Sequence, residues 1–258
     1  MKFESAFWFL TTALIFASAF QAKAQGETPD RLYRIQAENK FGFIDKSGKV
    51  IVPPVLDEAG EFSERLAYAK KGDRVGFIDA TGGFVIKPKF YQATSFADGL
   101  AAVWVPGTDA PLYNGEWVFI DKSGKTVLGS KFAFNGAQFA EGMAAFFDGE
   151  KYGFIDKTGK IVIEPQFPRP FTVDILGRPR PTDSGTPFRE GLAVVKLNGK
   201  QAFLDKTGKI VQLPEKYRVY SEFSEGLVRV SINYNEGFLD AGGNIVIKPV
   251  WRTVGDFS

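Results

Sequence analysis

One seven-residue phrase, written six times, constrains this chain more than any other feature. Its clear copies read Phe-Ile-Asp-Lys-Ser/Thr-Gly-Lys and run from Phe43 to Lys49, Phe119 to Lys125 and Phe154 to Lys160. Looser copies run from Phe77 to Gly83, Phe203 to Lys209 and Phe238 to Asn244. A repeated phrase implies a repeated structural unit that cannot bury its apolar face alone, so the fold is an array of packed units. The aspartates of the six copies, Asp45, Asp79, Asp121, Asp156, Asp205 and Asp240, lie 34, 42, 35, 49 and 35 residues apart. The basal unit is therefore about 35 residues, lengthened twice by insertions.

Each unit reads as short strands joined by tight turns. Gly191 to Val195 is β-prone, and Asn198-Gly199 is a hairpin signal. Gln201 to Asp205 makes the next strand, Lys206-Thr207-Gly208 turns the chain, and Lys209 to Leu213 makes a third strand that Pro214 stops. A looser segment adds a short fourth. In the Asp-Lys-Thr-Gly turn, Gly takes a left-handed position because it has no Cβ to clash. The Asp accepts a hydrogen bond from the amide two residues on. The competing reading, a ring of carboxylates around a metal, is weak. Each copy supplies one acid, whereas calcium loops stack several close in sequence.

A second signature, Phe-Ser/Ala-Glu/Asp-Gly-Leu/Met, occupies Phe96 to Leu100, Phe139 to Met143 and Phe223 to Leu227. Phe188 to Leu192 and Phe62 to Leu66 are variants. The Phe is expected to plug the core, the acid to accept within its turn, and the Gly to open the next strand. Arg65 replaces that Gly once, at a cost of about 1 kcal/mol if the backbone there is left-handed. A catalytic role for Glu64, Asp98, Glu141, Glu190 or Glu225 is the sharper alternative.

Two absences remove much chemistry. The 258 residues contain no Cys and no His. Disulfides, thiolate nucleophiles, Ser-His-Asp and Cys-His catalysis and the commonest zinc ligand are gone. No cofactor is implied. Basic and acidic side chains nearly balance, 32 against 30, which gives no electrostatic footprint for nucleic acid.

Residues 1–24 read as a cleaved export signal. Lys2 precedes an apolar run from Ala6 to Phe20, and Ala22-Lys23-Ala24 fits the small-x-small cleavage pattern. A membrane anchor is the alternative, but about 20 apolar residues are needed to span a bilayer and this run is shorter. Residues 25–258 are expected to form a single monomeric β domain, periplasmic or secreted, without membrane insertion after cleavage.

Together the two signatures resemble the bacterial WG-repeat family, also known as KWG repeats. Tyr152 to Phe167 is the best copy, reading Tyr-Gly-Phe-Ile-Asp-Lys-Thr-Gly-Lys-Ile-Val-Ile-Glu-Pro-Gln-Phe. The name-giving Trp-Gly pair reads Phe41-Gly42, Val75-Gly76, Trp117-Val118, Tyr152-Gly153, Gln201-Ala202 and Glu236-Gly237, so only Trp117 keeps the Trp. The resemblance implies a β-repeat scaffold with no catalytic residue to carry over.

Six units could close into a six-bladed β-propeller or stack as an open, solenoid-like β array. Phe257-Ser258 begins a signature that Asp30-Arg31-Leu32-Tyr33 would continue. A ring closed by the N-terminal strand, which would complete the last unit, is therefore expected. Function on repeat scaffolds sits in insertions and on one face. The insertions are residues 105–116 and 168–187. Trp104, Tyr113 and Trp117 could offer aromatic platforms, though Trp104 and Trp117 could equally be core plugs, and Arg178 and Arg180 could offer forks for carboxylate or phosphate. Trp251 is expected in the core. The sequence points to an exported, non-enzymatic scaffold for protein or envelope glycan. A glycosidase or polysaccharide lyase using carboxylates alone is the alternative.

Overall fold

The repeated phrase becomes repeated sheets. In the computed structural model, which describes residues 32–106, 115–129, 137–168 and 187–255, twenty strands form six antiparallel sheets. Sheet one holds β1 (Tyr33–Ala37), β2 (Lys40–Ile44) and β3 (Val50–Leu56). Sheet two holds β4 (Glu58–Ala59), β5 (Ala67–Lys71), β6 (Arg74–Ile78) and β7 (Phe84–Phe90). Sheet three holds β8 (Ala101–Pro106), β9 (Gly115–Ile120) and β10 (Thr126–Leu128), and sheet four β11 (Met143–Phe147), β12 (Lys151–Asp156) and β13 (Ile161–Pro168). Sheet five holds β14 (Leu192–Leu197), β15 (Lys200–Asp205) and β16 (Ile210–Gln212). Sheet six holds β17 (Tyr217–Val219), β18 (Leu227–Ile232), β19 (Asn235–Asp240) and β20 (Ile245–Trp251). Consecutive strands are neighbours in every sheet.

A meander has two ends, and their chemistry differs here. The Asp turns and the Phe-Ser-acid-Gly turns both fall at one end, the turn end. The β1–β2, β5–β6, β8–β9, β11–β12, β14–β15 and β18–β19 hairpins and the exits of the third strands fall at the other, the hairpin end.

The Asp turn forms as the sequence predicts. Asp45 Oδ1 accepts from the Ser47 amide at 2.8 Å and the Ser47 hydroxyl at 2.6 Å, and Gly48 sits at φ 85°. Asp79, Asp121, Asp156 and Asp205 repeat this with Thr81, Ser123, Thr158 and Thr207. Asp240 uses the Gly242 amide and the Asn244 side chain instead. These hydroxyl bonds, helped by backbone amides, hold the first five carboxyls below the usual carboxylate range, and Asn244 does the same for Asp240.

The Gly of the Trp-Gly position is fixed by crowding. A Cβ on Gly76 would lie 2.4 Å from the Ile86 carbonyl oxygen, and Gly42, Gly153 and Gly237 meet Val52, Ile163 and Ile247 in the same way. In these four sheets the last strand runs seven or eight residues and bulges next to a proline, Pro54, Pro88, Pro165 or Pro249. The bulge pushes the carbonyl into the space a side chain would need. Sheets three and five carry Val118 and Ala202 there, and their third strands, β10 and β16, have three residues.

Adjacent sheets pack face to face through five apolar clusters, one for each consecutive pair. The centre of each is an aromatic pair. The signature Phe of one unit sits edge-on or tilted against the phrase Phe of the unit before: Phe43–Phe62 at 5.1 Å, Phe77–Phe96 at 4.8 Å, Phe119–Phe139 at 4.7 Å, Phe154–Phe188 at 5.1 Å and Phe203–Phe223 at 4.9 Å.

Two expectations change. The first strand does not complete the last unit: β1 pairs with β2 in sheet one, and sheet six draws all four strands from residues 217–251. Among the described residues no apolar cluster or strand pairing joins sheet one to sheet six. Trp251 is not core. It is 58% exposed, where its counterparts Phe90 and Phe167 are 4% and 0% exposed, because no following sheet covers it among the described residues.

Two outcomes follow. Carboxyls with lowered folded-state pKa values stabilise the fold fully above their unfolded value, about 3.9 for Asp, and lose that contribution as pH falls through the folded values. Thermal unfolding should show a plateau at neutral pH and a steep loss of melting temperature below about pH 4; a midpoint that moves with pH across the neutral range would contradict this. Gly76→Ala should cost about 1–3 kcal/mol through overpacking, whereas Ala202→Gly should cost less than about 1 kcal/mol. Urea unfolding of both variants measures the difference.

Candidate functional site

The turn end is chemically occupied. In each Phe-Ser-acid-Gly turn the acid and the residue after it both adopt left-handed φ, as with Glu64 at 52° and Arg65 at 73°, or Asp98 at 55° and Gly99 at 85°. The two-residue turn closes by paired backbone bonds, Ser63 N to Leu66 O at 2.9 Å and Leu66 N to Ser63 O at 3.1 Å. The acid is not the acceptor of its own turn, as the sequence suggested. It reaches the same turn of the next unit. The amide of Gly99 donates to Glu64 at 3.0 Å, that of Gly142 to Asp98, and that of Gly191 to Glu141 at 2.9 Å. The amides of Glu225 and Gly226 donate to Glu190 at 2.8 and 2.7 Å. Lys122 pairs with Glu64 at 3.0 Å and Lys206 with Glu141 at 2.9 Å. For Glu141, partial burial raises the carboxyl pKa, but Lys206 and the Gly191 amide outweigh it and hold the group below its ordinary value.

Every carboxyl with a resolved shift among the described residues is pushed down. Glu64, Asp98, Glu141 and Glu190 serve as braces between units.

The hairpin end is open by comparison. Both insertions leave from it, one from the β8–β9 hairpin and one from the end of β13. Trp104 and Trp117 face each other across that hairpin, their rings 5.9 Å apart at 68°, and both are half-buried. They remain partly open because β10 is too short to cover them, whereas the longer β7 helps to bury Val75, the counterpart of Trp117. Tyr113, Arg178 and Arg180 lie outside the described residues.

Three further features of this end escaped the sequence. A cleft of about 430 Å³ opens between sheets four and five, lined by Glu150, Lys151, Gln166, Pro168, Leu197 and Asn198. It lies where the second insertion begins. Arg74 stacks on Tyr91, its guanidinium carbon 3.6 Å from the ring centroid. Tyr234 caps the β18–β19 hairpin at φ 66° and is 92% exposed. Sister hairpins place Gly199 or Asn39 at that position. A bulky residue in the left-handed region costs roughly 1–2 kcal/mol, and a side chain this exposed recovers little of it by packing. The signal was present in the sequence as a Tyr where a Gly or Asn belongs.

Tyr152, which stands at the Trp position of its unit, is core: it is buried, and burial pushes its phenol pKa upward. No helix long and apolar enough to cross a membrane is present among the described residues.

Solved structures similar to this chain include a puromycin hydrolase (TM-score 0.47, 14% identity, 85% of this chain and 44% of that one). They also include Hsv2 of Kluyveromyces lactis (0.49, 10%, 83% and 72%) and the surface component PorZ of Porphyromonas gingivalis (0.38, 10%, 85% and 31%). The chain thus spans under half the length of the hydrolase. Curated protein sequences give no match. Residues 41–74, 76–103, 152–169 and 183–200 match the model of the WG containing repeat. These segments carry phrase strands, the bulge-facing Gly42, Gly76 and Gly153 and signature turns described above, and in them the chain carries WG repeats.

Proposed function

We propose that this protein is an exported, non-enzymatic binding scaffold that presents its hairpin end to a protein or an envelope glycan. The observation that carries the reading is the division between the two ends. At the turn end, side chains are spent on Asp turns and on carboxylate bonds between units. From the hairpin end the two insertions depart, and there stand the Trp104–Trp117 pair, exposed Tyr234 and the cleft beside Pro168. Aromatic rings held on paired strands and hairpin turns offer large contact area at low entropic cost, which suits sugar faces and protein hot spots alike. Export rests on the apolar leader with its small-x-small site.

A six-bladed ring would set the hairpin ends around one rim. The reading does not require closure, because the five consecutive interfaces already align these ends.

Two screens with the chain from Gln25 onward separate the arms: a glycan array of envelope polysaccharides, and pull-down from an envelope extract. The hairpin end is then tested with Tyr234→Gly and with the double variant Trp104→Ala/Trp117→Ala. Tyr234→Gly should raise stability by up to about 1 kcal/mol through relief of left-handed strain while weakening capture. Retained capture by both variants would remove the hairpin end from consideration. Turnover of a polysaccharide on the array would replace the scaffold reading with the enzyme.

A further inference from the structure

We propose, resting on the glycan arm of the scaffold reading, that the cleft between sheets four and five seats a uronic acid residue by its carboxylate. Sheet one holds the pattern for such a seat. Its second strand opens with Lys40, three residues before Phe43, and Asp57 follows Leu56, the register partner of Phe41. One Asp57 oxygen pairs with the Lys40 ammonium. The other accepts the amide of Gly72, the first turn residue of the β5–β6 hairpin, at 2.7 Å. Lys40 foremost, then the Gly72 amide, hold the Asp57 carboxyl below the usual carboxylate range. A lysine of one unit and a hairpin amide of the next thus cradle one carboxylate.

The same two donors recur between sheets four and five, with a proline in the place of the acid. Lys151 stands three residues before Phe154, as Lys40 does before Phe43. Asn198 is the first turn residue of the β14–β15 hairpin, and it shares the left-handed conformation of Gly72, at φ 50° and 62°. Pro168 pairs with Lys151 and follows Phe167, the register partner of Tyr152, so it occupies the position of Asp57. In sheet two that position is Tyr91, whose ring takes the guanidinium of Arg74. Proline brings neither a carboxylate nor a ring. Among the described residues Lys151 has no ion-pair partner and the Asn198 amide has no acceptor. Asp148, close by, is spent on the amides of Glu150 and Lys151.

The rest of the lining selects among carboxylates. Both donors border the cleft of about 430 Å³, together with Glu150, Gln166, Leu197 and Pro168. Glu150 repels a bare anion but accepts from hydroxyl groups. The side-chain amides of Gln166 and Asn198 both donate and accept, as sugar hydroxyls require. Leu197 and Pro168 add apolar surface for a ring face. A uronic acid residue carries a carboxylate, adjacent hydroxyls and an apolar ring face in one unit. An acidic peptide side chain brings only the carboxylate.

The chain from Gln25 onward is titrated calorimetrically with a galacturonate trimer, with its methyl ester and with an aspartate-rich peptide. The trimer should bind, and its affinity should fall as salt is raised. The ester keeps the hydroxyls and loses the charge, and should bind roughly tenfold or more weakly. Lys151→Met should weaken the trimer to a similar degree. Pro168→Asp should lose trimer binding, because it rebuilds the sheet-one pair inside the cleft. Both positions are exposed, and melting curves verify that the variants fold. A wild type that ignores the trimer, or takes the ester equally well, would overturn the proposal. So would trimer binding that survives Pro168→Asp. Preference for the peptide, blocked by Pro168→Asp, would overturn the sugar assignment. Capture of a neutral glycan that needs Trp104 and Trp117 but not Lys151 would overturn the uronate seat and leave the scaffold reading standing.

Discussion

The architecture depends on one contact, the aromatic pair that joins each unit to the next. A sheet of three or four short strands cannot stand alone in water; it must bury a face. Here the signature Phe of each following unit reaches back to the phrase Phe of the unit before, with centroids 4.7–5.1 Å apart in all five cases. Each buried ring contributes about 1.5–3 kcal/mol by removal from water, and edge-on geometry adds about 0.5–1.5 kcal/mol per pair. The pair also sets the spacing between sheets. The first-strand residues beside it are small, as with Ala67, Ala101, Ala144 and Ala193, which lets the sheets approach. Stability in such an array is a sum of unit terms and nearest-neighbour terms. Inner sheets have two neighbours, whereas sheets one and six have one each among the described residues.

The row of acids at the turn end extends the same nearest-neighbour logic into polar chemistry. Holding Glu or Asp in the left-handed region costs roughly 1–2 kcal/mol. A hydrogen bond to a charged group returns about 1.5–3 kcal/mol. The exchange is favourable only if the next unit is in place, because the donors are the amides of Gly99, Gly142, Gly191 and Gly226. Strain inside one turn thus becomes a bond between turns. Asn at the acid position would tolerate the backbone, but it would bring no charge to the neighbouring amide.

This explains which parts of the molecule could be read from the chain alone. The Asp turn is local: acceptor, donor and left-handed Gly all lie within five residues, and Asp45 to Lys49 behaves as its spacing dictates. The buried signature Phe residues were legible for the same reason, since their place beside the turn carries them. What escaped depends on neighbours. The reach of Glu64 to Gly99 spans 35 residues. The crowding at Gly76 depends on a bulge in a different strand. Trp251 has the sequence surroundings of Phe90 and the opposite exposure, because burial at that position is decided by the following sheet. Pattern predicts the face a side chain takes, and neighbouring sheets decide whether that face is covered.

The two ends of the meander are under different constraints. At the turn end, each loop must present both an acceptor to the next unit and an amide to the previous one, so its length is fixed. At the hairpin end, a loop need only reverse the chain. That freedom is visible in the range from the two-residue Asn198-Gly199 turn to the insertion between β8 and β9. It is visible again in Tyr234, where a left-handed position taken by Gly199 in a sister hairpin carries a large exposed ring. Local rules are broken where the array tolerates it. A residue that costs stability and is spared the demands of packing is better explained by what it meets outside the fold than by the fold itself.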